Sequence, residues 1–167
     1  VGEEGSGFYN LAKFFNYGRI AVAGHATGLA AAAIRSFEDE LGVITPPLHR
    51  VQGMYFVVEE SLLPYLEVSP NRLRGIGLRA GSCQNGFQPS PAFLSFVFDG
   101  DNFVVIDSSG RESFCHGRPA GSSSVIQDKR ESSTFFVVDE DQDCLGIGRG
   151  EDVDPLVDIG EYVRRRR

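Results

Sequence analysis

The 167 residues carry 16 Lys and Arg against 23 Asp and Glu, a formal net charge of −7, with 41% apolar residues, thirteen Phe and no Trp. That apolar share excludes global disorder, because it can bury enough surface to offset chain entropy; the acidic balance argues against a general nucleic-acid binder, which needs clustered Lys and Arg to meet phosphates. No stretch reaches the roughly 18 apolar residues of a membrane span, since the run from Ile20 to Ile34 is short and is broken by small residues and His25.

Residues 1–7 are rich in Gly and Glu and read as a loop. Phe8, Leu11, Phe14 and Phe15 then fall at helical spacing. From Arg19 to Glu40 an Ala-rich stretch predicts the main helix, with Ile20, Ala23, Thr27, Ala30, Ala31 and Ile34 on one side. Gly42 is its stop, and Pro46 and Pro47 enforce the break. Met54 to Val58 predicts a strand, and Leu62 to Leu66 a short helical turn or a second strand. Residues 81–91 hold Gly81, Gly86, Pro89 and Pro91 and read as a loop.

Beyond that loop the pattern turns to strands. Phe93 to Phe98 predicts one, Asp99 to Asn102 a hairpin turn, and Phe103 to Ile106 the next. Asp107 to Gly110 predicts a second turn and Glu112 to Cys115 a third strand. Residues 117–124 are a Gly/Ser loop, Thr134 to Val138 is a fourth strand dense in β-branched and aromatic residues, and Leu156 to Val163 adds a last element. The expected fold class is α+β: a helical N-terminal segment followed by an antiparallel β-rich body. The expected domains are 1–42 and 48–167.

Residues 1–34 resemble the acyl-CoA dehydrogenase family at the junction between its middle β domain and its C-terminal helical domain. The resemblance is carried by Gly2-Glu3-Glu4-Gly5, Gly7-Phe8, Arg19-Ile20 and the helix with Ala23 and Gly28. It implies an oxidoreductase: a flavoprotein that binds FAD and dehydrogenates an acyl-CoA, with a carboxylate removing the α proton. Gly18 stands where one branch of that family has its base. The implied function is an acyl-CoA dehydrogenase-like fragment not competent alone, with an acyl-CoA or protein partner. The alternative is a non-catalytic acidic binding or structural module whose surface lies on the β body.

Asp139, Asp141 and Asp143 are the candidate metal ligands, since oxygen ligands at positions 1, 3 and 5 open calcium loops. In that register Cys144 takes the place of the turn glycine and Gly150 that of the bidentate Glu. Cys83, Cys115 and Cys144 are odd in number and form no CxxC pair, which points away from a disulfide framework and toward a reducing, intracellular and cytoplasmic setting. His25, His49 and His116 are the candidate bases for a cysteine nucleophile. Arg72, Arg74 and Arg79 form a modest basic patch, and Arg164 to Arg167 form a run able to meet a phosphate or an acidic membrane.

Overall fold

A computed structural model describes residues 28–68, 73–160 and 164. The helix expected around Phe8–Phe15, and the 19–27 part of the main helix, lie outside the described residues. Helix α1 runs Gly28–Leu41 and buries Ala30, Ala31, Ile34, Phe37 and Leu41 on one face. That is the stripe of a helix packed on a core. Gly42 ends it as expected. Its φ of 73° favours a residue without a Cβ, and its N–H donates to Glu38 O at 2.8 Å.

The chain then builds an antiparallel sheet, in the order β1-β2-β3-β4. Its strands are β1 Leu48–Val51, β2 Met54–Val57, β3 Leu78–Cys83 and β4 Phe87–Pro89. A 3-10 turn at Glu60–Leu62 and helix α2, Leu63–Val68, interrupt it. The segment read as a loop over 81–91 thus contributes the end of β3 and all of β4.

Helix α3, Pro91–Val97, follows. This stretch was expected as a strand, and the correction has a local cause. Ser90 Oγ accepts from Phe93 N–H at 3.1 Å as an N-cap, and Pro91 takes the first turn, where its missing N–H costs nothing. Phe93, Leu94 and Val97 then form one buried face. Helix α3 packs on both β3 and β8, so it joins the two sheets.

The second sheet has the order β6-β5-β7-β8-β9. Its strands are β5 Phe103–Ile106, β6 Val125–Lys129, β7 Thr134–Val138, β8 Cys144–Arg149 and β9 Asp154–Asp158. Helix α4, Ser108–Cys115, replaces the third expected strand, because Asp107 Oδ1 caps it by accepting from Gly110 N–H at 2.8 Å. Without a strand there, β5 pairs parallel with β7. The fold is therefore mixed α+β, as read, but the body is not wholly antiparallel.

The two faces of β5 and β7 are both covered, which is why their sequences are continuous apolar runs. Phe103, Val105, Phe136 and Val138 face α1, α3 and the first sheet in one core. Val104, Ile106, Phe135 and Val137 face Phe114 of α4 in another. The face of α1 that follows Gly28 shares the first core with residues of both sheets.

Candidate functional site

Helix α4 lies across the second sheet, touching β5, β8 and β9. Its length sets out a row of charges. Arg111 Nη1 is 3.0 Å from Asp139 Oδ2 at the end of β7, with the arginine side chain 50% exposed and the aspartate 4%. At the other end, Arg164 donates to both oxygens of Asp158, at 2.9 and 2.7 Å, with exposures of 37% and 7%. Arg164 also donates to the Cys115 carbonyl that closes α4. Both pairs share one plan: a carboxylate sunk in the protein holds a guanidinium at the surface. The plan is physically constrained, since a carboxylate taken out of water must be paired.

The loop that follows α4, His116-Gly117-Arg118-Pro119, is exposed throughout. The His116 ring is tied to the helix end, with Nδ1 2.7 Å from Glu112 O. Arg118 makes no ion pair among the described residues. Next to it, the Cys115 thiol is pushed above its ordinary range by burial first and by Asp158, with Arg111 and Arg164 opposing. A protonated thiol is neither a nucleophile nor a metal ligand.

The other cysteines are no more activated. Burial raises the Cys83 thiol, and Arg50 together with a hydrogen bond to Tyr55 pulls the other way without reversing it. Burial pushes Cys144 up to about 12. The native state therefore keeps a proton that the unfolded chain releases near the ordinary value of 9.0. The sign follows from linkage. This contribution is complete below the unfolded value and is lost as pH rises from about 9 toward 12. Cys144 is expected to resist a thiol reagent at about pH 8 in the folded protein and to react once guanidinium is added. Counting thiols under both conditions checks this, and equal labelling of Cys144 in native protein would refute it.

The three candidate metal ligands are not brought together. Asp139 is buried, and its Oδ1 accepts from Asp141 N–H at 3.1 Å and Asp143 N–H at 2.9 Å. That carboxylate organises the β7–β8 turn while its other oxygen meets Arg111. Asp141 and Asp143 are exposed. Among the described residues no group of three His, Cys, Asp or Glu gathers as a metal site. Arg74 and Arg79 are exposed near the first sheet, away from α4, and Arg72 lies outside the described residues. Cys115, read as the end of a strand, instead closes a helix, with His116 as its C-cap.

Two clefts open on the described surface. One of about 280 Å³ is mostly apolar and is lined by Ala33, Phe37, Phe87, Ile147 and Leu156. The other, about 380 Å³, holds Arg50, Tyr55, Cys83 and Gln84. Among the described residues no helix is long and apolar enough to cross a membrane.

No family model matches the chain, and no curated protein matches it. Among solved structures it is similar to one titled "Structure of a Conserved PUA Domain Protein from Thermoplasma acidophilum". The identity is 17% and the TM-score 0.38, over 53% of this chain and 58% of that chain.

The acyl-CoA dehydrogenase reading is corrected: no family model and no curated protein supports it. The fold gives the physical reason: the helix that carried part of the resemblance stops at Leu41, and strands begin at Leu48 where further helices were implied. With that reading go its oxidoreductase chemistry and the acyl-CoA partner. The FAD expectation had no other ground. The residues missed in the sequence were Arg111, Arg118 and Asp158. The one local signal was the Asp107 cap, which puts Arg111 and Cys115 one helical turn apart.

Proposed function

We propose that the chain is a non-catalytic nucleic-acid-binding module that grips phosphates through the α4 surface. The observation that carries this reading is the pair of guanidinium groups on α4 and its following loop. Arg111 is held at the surface by a buried carboxylate, and Arg118 is exposed without an ion pair among the described residues. A guanidinium presents five donors in a flat fork that matches two phosphate oxygens.

The overall charge of −7 and the local cluster act on different quantities. Total charge opposes indiscriminate association, whereas distribution decides where a polyanion can touch. Affinity is then modest, on the order of 10⁻⁴ to 10⁻⁶ M at physiological salt. The large apolar side chains most exposed among the described residues are Leu29, Ile44, Tyr65, Ile126 and Leu156, none of them on α4. Stacking of bases is therefore not supported there, and contact to the phosphate backbone is.

Fluorescence anisotropy with labelled single-stranded RNA and DNA, repeated across salt, tests this. With two phosphate contacts, from Arg111 and Arg118, the slope of log K against log salt is about −1.4. Arg118→Ala is expected to weaken binding alike for all sequences and to flatten the slope by about 0.7. Absence of binding at low salt, or binding indifferent to that substitution, defeats the reading.

A further inference from the structure

The seat of Arg164 is built in an unusual way. A Cβ placed on Gly117 would lie 3.1 Å from Arg164 Nη2 and 3.3 Å from Cζ. A Cβ on Gly160 would lie 2.9 Å from Arg164 Nη1 and 1.8 Å from the Cys115 carbonyl oxygen. The guanidinium thus passes through a slot walled by two glycine backbones. Inside it, Nη1 donates to the Cys115 carbonyl and to Asp158 Oδ1, and Nη2 donates to Asp158 Oδ2. Gly117 has a φ of 74° and immediately precedes Arg118.

We infer that Arg164 is a positioning residue rather than a phosphate ligand: seated between Gly117 and Gly160, it clasps the 116–119 loop to the end of β9 and so aims Arg118. This rests on the nucleic-acid reading above. A flexible Arg118 makes a phosphate contact only after losing side-chain and loop freedom. A clasped loop has lost part of that freedom already, so binding is tighter for the same contacts.

The test compares Gly117→Ala with Gly121→Ala, both measured by oligonucleotide anisotropy across salt and by thermal unfolding. Gly121 has a similar φ of 84°, but a Cβ there meets only Ser123 Oγ, at 3.8 Å. Backbone strain is thus matched, and contact with Arg164 differs. Gly117→Ala is expected to weaken binding about tenfold, and Gly121→Ala less than about twofold, at similar losses in Tm. Arg164→Lys keeps the charge but not the forked geometry, and is expected to fall with Gly117→Ala. If the unsubstituted protein binds and depends on Arg118, yet Gly117→Ala matches Gly121→Ala and Arg164→Lys matches the parent, the clasp is wrong and the interface stands. If the unsubstituted protein does not bind, the interface reading itself fails.

Discussion

Replacing Asn102 by Asp is expected to destabilise the fold by about 3–5 kcal/mol at neutral pH. Asn102 is 4% exposed and sits at a φ of 48°, a left-handed conformation that Asn and Asp both tolerate. The substitution therefore changes chemistry and leaves shape alone. The Asn102 amide nitrogen shares its hydrogens among Leu41 O at 3.2 Å, Ser132 Oγ at 3.2 Å and Thr134 O at 3.0 Å. Its oxygen accepts from Glu131 N–H at 3.0 Å and Ser132 N–H at 3.3 Å. One side chain thus joins the end of α1, the β6–β7 connection and the start of β7. Ser132 adds a bond to Glu40 O at 2.7 Å, so two carbonyls at the C-terminal end of α1 are satisfied from the second sheet.

An aspartate there would point an oxygen at two or three other oxygens. It escapes by taking up a proton, so its folded pKa is raised above the unfolded value of about 3.9. The sign follows: between the two values the native state holds more protons, so the added penalty grows as pH rises through that window and fades below about pH 4. Urea midpoints for both proteins at about pH 7 and pH 4 measure it. A difference under about 1 kcal/mol, or one that does not shrink in acid, would falsify this account of the joint.

Phe93→Ala is expected to cost about 3–5 kcal/mol, or roughly 6–20 °C in Tm for a chain of this size. Phe93 is fully buried and touches both sheets' shared core through α3. Its ring packs edge-on to Phe87 at 5.8 Å, and lies 6.2 Å from Phe37 of α1 and 6.5 Å from Phe96. Truncation removes the transfer free energy of a phenyl group and leaves a void, and neighbours on three different elements cannot all collapse into it. Phe93→Leu refills most of that volume and should cost clearly less. The denaturation midpoint should move with its slope unchanged. Near-equal losses for Ala and Leu would mean that the ring's packing is not what holds α3 between the sheets.

The same helix shows where sequence reading fails. PAFLSFV is a short apolar run flanked by turn residues, and periodicity cannot tell a seven-residue buried helix from a strand. The deciding marks were Ser90 and Pro91, a cap and a first-turn proline. Asp107 gave the same signal for α4. Neither helix would persist alone, because so short a segment cannot overcome the cost of nucleation without tertiary packing. By contrast, the end of α1 at Gly42 and the strands at 54–57, 103–106 and 134–138 were legible. Each rests on a local cause: a left-handed glycine, or an apolar run able to fill a layer from both faces.

The candidate site was hardly legible. Asp139 was singled out as a metal ligand because of its spacing from Asp141 and Asp143. In the fold, backbone donors of its own turn and Arg111 occupy it. Arg164 drew notice as one of four adjacent arginines, but nothing in the sequence ties it to Cys115, 49 residues earlier.

What the amino-acid sequence determined alone was local: where apolar runs are long enough to be buried, where a backbone must stop, and that no part of the charge pattern makes the whole chain basic. What only tertiary structure decided was pairing: β5 beside β7 in parallel, α3 between two sheets, and buried carboxylates under Arg111 and Arg164. The reason is that periodicity and capping act over a few residues, whereas the depth of an ion pair and the register of distant strands depend on how the assembled layers exclude water.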